Sequence, residues 1–222
     1  MPELHVAAVI FDMDGVVIDS GDIYERHWRN WAVGHGLDYD SDIASVHPGR
    51  PPVETVRVVA PHLDAAVEAA RFNAGLDATD DANAASAMPG AVGLLSELPV
   101  DRWAIATSAT RAVARQWLQY AGLPLPAALV TVDDVKNGKP APDPYLMAAG
   151  LLRAEPRHCL VVEDAPAGIT AAKAAGATVL GVQTTHGPGD LAAADHLARG
   201  LQDVSASIDG DGLLIRWQRP ER

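Results

Sequence analysis

The sequence predicts an α/β protein: a parallel sheet with helices on both faces, interrupted by a helical insertion. Three features carry that expectation. Apolar, β-rich runs recur at Val6 to Phe11, Trp103 to Thr107, Leu160 to Glu163 and Thr178 to Val182. Between them lie Ala- and Leu-rich stretches with helical spacing, and strands alternating with helices of that length build right-handed βαβ units. From about Asp19 to Met88, by contrast, helical patterns stand with no convincing strand. Together these predict a Rossmann-like core formed by residues 1–18 and 89–222, with residues 19–88 as a helical cap domain over the crevice at the strand ends.

Each element has its own signal. The first strand is the run Val6-Ala7-Ala8-Val9-Ile10-Phe11. Cap helices are expected over Tyr24 to Val33, Pro52 to Ala60 and Asp64 to Leu76, with Gly34, Gly36 and Gly49 permitting bends and a hinge near Asp19 and Met88. Pro89-Gly90 marks the return to the core, Pro89 being suited to a helix start. Core helices follow at Ala91 to Leu98, Ala112 to Tyr120, Tyr145 to Leu152 and Gly168 to Ala175. In the tail, His196 to Ala198 and Leu213 to Trp217 read as late strands, the latter after a turn at Asp209-Gly210-Asp211-Gly212.

Composition narrows the function classes. At 222 residues and 48% hydrophobic, the chain has globular rather than disordered composition. A formal charge of -12 disfavours a nucleic-acid partner, which draws on clustered Lys and Arg. No run approaches the ~20 apolar residues of a membrane span, and the N-terminus lacks the basic start and long apolar stretch of a signal peptide. Cys159, the single cysteine, reads as a small core residue at a strand start. The expectation is a cytoplasmic protein without membrane or nucleic-acid partner, a monomer, with a dimer as the alternative.

The chemistry concentrates at strand ends. Asp12 and Asp14 follow the first strand, where an open parallel sheet faces its ligand crevice. After the second run come Thr107, Ser108, Ala109 and Thr110: Thr110 suits helix capping, while Ser108 at the strand end is a candidate phosphate contact. In Lys136-Asn137-Gly138-Lys139-Pro140-Ala141-Pro142-Asp143-Pro144 the prolines are expected to hold the chain extended and to aim the Lys139 ammonium. Glu163 and Asp164 end the third run. Asp164 would serve as a helix N-cap on the bland reading, but carboxylates crowded into one crevice call for a divalent cation, and oxygen-only ligands suit Mg²⁺.

These four segments, in this order and each at a strand-to-helix junction, resemble the motifs of the haloacid dehalogenase superfamily across essentially the whole chain. The resemblance implies Asp12 as nucleophile, Asp14 as general acid and base, Ser108 as phosphate ligand and Lys139 as charge stabiliser. It implies Mg²⁺ held by Asp12, the Asp14 backbone carbonyl and Asp164 with Glu163, and a phosphate cradle completed by amides near Met13 and Ala109. Dehalogenases and phosphonatases of that superfamily lack the second acid of the first motif, so Asp14 points to phosphoryl transfer at oxygen.

The insertion is similar to the cap of the phosphoglucomutase-like branch. The cap segment Val46-His47-Pro48-Gly49-Arg50-Pro51-Pro52 resembles the Gly-Arg loop of sugar and polyol phosphatases, which makes His47, Gly49 and Arg50 candidate substrate contacts. The implied activity is Mg-dependent hydrolysis of a small sugar or polyol phosphate. A sugar phosphomutase is the alternative, but Tyr24 stands where mutases carry a His four residues before the Trp matched by Trp28. A non-catalytic phosphate-binding domain is the remaining reading, which the intact acids and Lys139 disfavour.

Overall fold

The computed structural model describes residues 1–47, 50–77 and 85–220. Its main sheet contains β2 (Ala8–Phe11), β5 (Trp103–Ala106), β6 (Ala128–Val130), β7 (Cys159–Glu163), β8 (Thr178–Val182) and β9 (His196–Ala198), in the order β6-β5-β2-β7-β8-β9. Every neighbouring pair in it is parallel. The chain leaves β2 towards β5 and β6, then returns to the other side of β2 at β7, so the order reverses beside β2. Such a reversal opens a crevice at the carboxyl ends of the strands.

Side-chain alternation along the strands fills two cores. On one face, Ala8, Ile10, Ala104, Ala106 and Val161 pack against α6 (Asp143–Leu151) and α7 (Pro166–Ala174). On the other, Val9, Phe11, Trp103, Ile105 and Leu160 pack with α4 (Ala91–Glu97) and α5 (Arg111–Tyr120). Small residues on the first face let α6 and α7 approach the sheet closely; the second face carries the bulky tryptophans.

The first apolar run divides. Its start belongs to β1 (Glu3–Val6), which pairs antiparallel with β11 (Gly212–Trp217), itself paired with β10 (Val204–Asp209) in a separate three-stranded sheet. Hydrophobicity is continuous through Ala7, so it carries no mark of the change of sheet. The expected turn at 209–212 closes the β10–β11 hairpin, with Gly210 at φ 55°.

Two further expectations are corrected. Pro89 lies outside its helix: Gly90 is the N-cap of α4 at φ 88°, and a Cβ there would lie 2.4 Å from the Gln202 amide nitrogen. Only glycine fits that close approach. The lysine segment is not extended either, because Ala141 N–H donates to Gly138 O across a turn whose Lys139–Pro140 peptide is cis.

The insertion consists of α1 (Gly21–His35), a π-helical turn at Tyr39–Ile43, α2 (Pro52–Val59) and α3 (Ala65–Asp77). Trp28 and Phe72 form its centre, with ring centroids 4.2 Å apart. The buried Glu68 carboxylate is satisfied by Arg71 at 2.6 Å and the Trp31 indole at 3.1 Å. At its base, β3 (Ile18–Asp19) pairs antiparallel with β4 (Ser86–Ala87), a two-residue ladder too short to show periodicity. The ladder brings the insertion's entry and exit side by side. Tyr24 of α1 meets Trp117 of α5 edge-on at 5.9 Å, joining the insertion to the sheet's helices.

Candidate active site

Asp12 is the first residue past β2, and its amide still donates to Val162 O at 2.9 Å. The following loop is tight: Val17 and Ile18 both donate to Met13 O at 2.9 Å, and Met13 is wholly buried. Asp14 Oδ1 accepts from Ser20 Oγ at 2.6 Å. Burial raises the Asp14 carboxyl to about 6, opposed chiefly by the Ser20 hydrogen bond and by Lys139 and Thr107. Burial also raises Asp12, to about 7, with Lys139 acting against it.

Lys139 crosses the crevice. Its Nζ donates to Asp12 Oδ1 at 2.5 Å and to Glu163 Oε1 at 2.7 Å, with the side chain only 6% exposed. Burial lowers the ammonium's pKa, but Asp12 and Glu163 outweigh it and hold Lys139 above its ordinary value, so the side chain is charged. Glu163 accepts on every side: Tyr145 OH also donates to Oε1 at 2.7 Å, and the Asp164 and Ala165 amides donate to Oε2 at 2.9 and 3.0 Å. Four donors match the roughly four lone-pair positions of a carboxylate. Gly168 makes room for this group, since a Cβ there would lie 1.6 Å from Glu163 Oε1.

Asp164 is not a helix cap. The N-cap of α7 is Ala165, with Pro166 in the first turn, which leaves the Asp164 carboxylate for the crevice. Burial raises its pKa well above the usual carboxylate value, and Glu163 and Asp12 add to the rise. Its Oδ2 accepts from the Thr185 hydroxyl. Gly15, at φ 72°, lies so close that a Cβ would fall 2.2 Å from the same oxygen.

These groups border one cleft of about 560 Å³ that extends beneath the insertion. Ser108 and Ala109 line it, but the Ala109 amide donates to Thr107 Oγ1 at 3.0 Å, so an anion must displace that hydroxyl to use it. Thr110 caps α5 through Val113 N–H at 3.3 Å. Facing these, the insertion contributes Tyr24, Tyr39, His47 and Arg50. His47 Nε2 lies 2.9 Å from Tyr39 OH, and burial lowers its pKa, keeping the imidazole neutral near pH 7. Gly49 lies outside the described residues. The cleft thus brings together Asp12, Asp14, Ser108, Ala109, Lys139, Glu163, Asp164, His47 and Arg50.

The family model for haloacid dehalogenase-like hydrolases matches residues 6–176, which contain all of these groups. The chain belongs to the haloacid dehalogenase-like hydrolases. It is 38% identical to hexitol phosphatase A of Escherichia coli (strain K12), over 93% of this chain and 96% of that protein. It is also 38% identical to validoxylamine A 7'-phosphate phosphatase of Streptomyces hygroscopicus subsp. limoneus, over 88% and 94% of the two chains. Among solved structures, a hydrolase from Pseudomonas syringae superposes with a TM-score of 0.76 at 28% identity, covering 88% of this chain and 94% of that one.

The donor set of this hydrolase fits a hard divalent cation. Oxygens of Asp12, Glu163 and Asp164 lie within 4.8 Å of one another. Distance alone groups Glu163 with the other two, but its four donors set it apart. Asp12 Oδ2 and Asp164 Oδ1, by contrast, take no hydrogen bond among the described residues. The Asp14 side chain is held by Ser20 and lies outside the trio.

Two residues of this hydrolase's site escape a reading of the sequence. Tyr145 looks like a core aromatic at the start of a helix, and only its buried hydroxyl on Glu163 marks it as polar machinery. Thr185 follows β8, with no acid or lysine within four residues of it to draw attention to it. Among the described residues, no helix is long and apolar enough to cross a membrane.

Proposed function

We propose that this haloacid dehalogenase-like hydrolase is a magnesium-dependent phosphatase that hydrolyses a small sugar or polyol phosphate through an aspartyl-phosphate on Asp12. The observation that carries the reading is the Lys139 ammonium held between Asp12 and Glu163, beside an Asp14 carboxyl kept near neutrality. The Escherichia coli and Streptomyces relatives are named as phosphatases of a hexitol and of validoxylamine A 7'-phosphate, which supports a polyhydroxylated substrate.

In the first step an oxygen of the Asp12 carboxylate attacks phosphorus in line and the ester P–O bond breaks. The leaving alkoxide takes the proton of Asp14. In the second step Asp14, now ionised, accepts a proton from water as the water oxygen bonds to phosphorus. The bond to Asp12 breaks and inorganic phosphate forms. A carboxyl with a pKa of about 6 is suited to both tasks. Lys139 offsets the repulsion between a carboxylate nucleophile and an anionic ester, and Ser108 donates to a phosphoryl oxygen. Asp12, Asp164 and the Asp14 carbonyl would hold magnesium, which when bound would neutralise charge on the phosphoryl group. Glu163 holds Lys139 in place rather than binding the ion.

Residues 19–88 act as the cap, with the β3–β4 ladder at its base. His47 and Arg50 face the substrate's hydroxyls. Tyr24 favours hydrolysis over phosphomutase chemistry: it presents to the cleft a phenol whose pKa burial, Asp14 and Asp12 push well up, where a mutase would carry an imidazole. The test is magnesium-dependent release of inorganic phosphate from a panel of sugar and polyol phosphates. Loss of release in Asp12→Asn is expected; isomerisation of a sugar 1-phosphate to its 6-phosphate without free phosphate would replace the phosphatase reading with the mutase.

A further inference from the structure

The segment Thr184-Thr185-His186 after β8 belongs to none of the motifs above, yet it ties the two acid-bearing loops together. β8 lies beside β7 with Gly181 opposite Glu163, so the chain leaving β8 runs along the Asp164 loop. Thr184 Oγ1 donates to Gly15 O at 2.5 Å, anchoring the loop that carries Asp12 and Asp14. Thr185 Oγ1 meets the Asp164 carboxylate at Oδ2, lies 3.3 Å from Asp164 O, and is 2.8 Å from His186 Nδ1.

Proton counting gives these contacts a direction. A carboxylate that holds a cation is ionised and only accepts, so in that state the single Thr185 hydroxyl proton goes to Asp164. The hydroxyl oxygen can then only accept from His186, which places a proton on His186 Nδ1. Packing closes the remaining side: a Cβ on Gly15 would lie 2.2 Å from Asp164 Oδ2 and 2.8 Å from Thr185 Cγ2. Asp164 is thereby held by one oxygen, and the other takes no hydrogen bond among the described residues. One tethered and one open oxygen is the arrangement a monodentate metal ligand needs.

We propose that Thr185 is a positioning residue for the metal site, orienting Asp164 through its hydroxyl while His186 fixes the direction of that hydrogen bond. The inference rests on the metal-dependent reading of the site. Groups that orient a ligand in this way change metal affinity by about 10- to 100-fold when removed.

The test is Mn²⁺ binding to the full chain without substrate, followed by the electron paramagnetic resonance signal of the free ion. Thr185→Ser keeps the hydroxyl and is expected to bind as wild type does. Thr185→Val removes it and is expected to weaken binding by about 10- to 100-fold. Wild-type affinity in folded Thr185→Val would overturn the proposal. If that variant does not fold, His186→Ala decides instead: weaker binding supports the relay and unchanged binding overturns it. A wild type that binds no Mn²⁺ and releases no phosphate would overturn the phosphatase reading, and this inference with it. Unchanged binding in Thr185→Val, with wild-type phosphatase activity intact, overturns the Thr185 assignment alone.

Discussion

Lys139 reaches Asp12 across 127 positions of sequence, its Nζ 2.5 Å from Asp12 Oδ1. The contact is set up by strand order. β2 and β7 are neighbours, so Asp12 and Glu163 emerge at the same level, and the turn at Gly138–Ala141 delivers the ammonium between them. A buried cation flanked by two carboxylates is strongly retained, and it screens one of the crowded acids from the others.

Lys139→Ala leaves Asp12 and Glu163 facing each other without the intervening charge. Turnover is expected to fall by about 100- to 1,000-fold, the magnitude typical of losing a preorganised charge at developing phosphoryl charge. Lys139→Arg should not restore it, because a planar guanidinium does not replace a compact ammonium buried between two carboxylates. Steady-state kcat on a generic phosphate ester checks both.

The same crowding implies a trade of stability for function. Asp164 is buried and raised by its own burial, then by Glu163 and Asp12, so its ionised form is unfavourable in the metal-free protein. Asp164→Asn should raise the metal-free thermal midpoint while abolishing metal-dependent activity. A lowered midpoint in differential scanning calorimetry would argue against net repulsion at the site.

Gly168 is a steric requirement of the Glu163 carboxylate. With a Cβ placed 1.6 Å from Oε1, Gly168→Ala must displace Glu163, and through it Lys139. Destabilisation of about 1–3 kcal/mol is expected from the overpacking, with a loss of kcat larger than the change in KM. Urea unfolding and steady-state kinetics measure the two parts.

Away from the site, Asp134 supports the structure in a pH-dependent way. Arg111 at 2.6 Å holds its pKa below the usual value, and the Thr131 amide adds a capping bond at 2.8 Å. A depressed acid contributes stability above its unfolded pKa of about 3.9, and loses it as pH falls through the folded value. Asp134→Asn should therefore be about 1 kcal/mol less stable near pH 7, the difference closing in acid. A gap independent of pH would contradict the ion-pair account.

On the insertion, Arg50 lines the cleft opposite the acids. Arg50→Ala should raise KM for sugar and polyol phosphates roughly tenfold or more with kcat little changed, the signature of lost ground-state binding. Equal KM values in mutant and wild type would remove Arg50 from the substrate site.

Strand-end acids were the legible part of this sequence. Asp12, Asp14, Glu163 and Asp164 each follow an apolar run, and an acid in that place is costly enough to be noticed. β8 and the three long cap helices were also readable from their patterns. What could not be read is short or two-faced: β6 is three residues long, β10 carries mostly exposed residues, and the break at Ala7 falls within unbroken hydrophobicity. The partners of the acids were hidden for another reason. Tyr145 and Thr185 become polar machinery only through contacts made in three dimensions, and nothing in their own sequence neighbourhoods distinguishes them from core or loop residues.

The central claim is that Asp12 makes a covalent bond to phosphorus. Acid-quenched single turnover with a radiolabelled sugar phosphate, followed by peptide mapping, tests it directly. Transient label on the peptide containing Asp12, stable in acid, released by alkali and absent from Asp12→Asn, is the predicted result. Full turnover in Asp12→Asn, or label residing on another residue, would contradict the account.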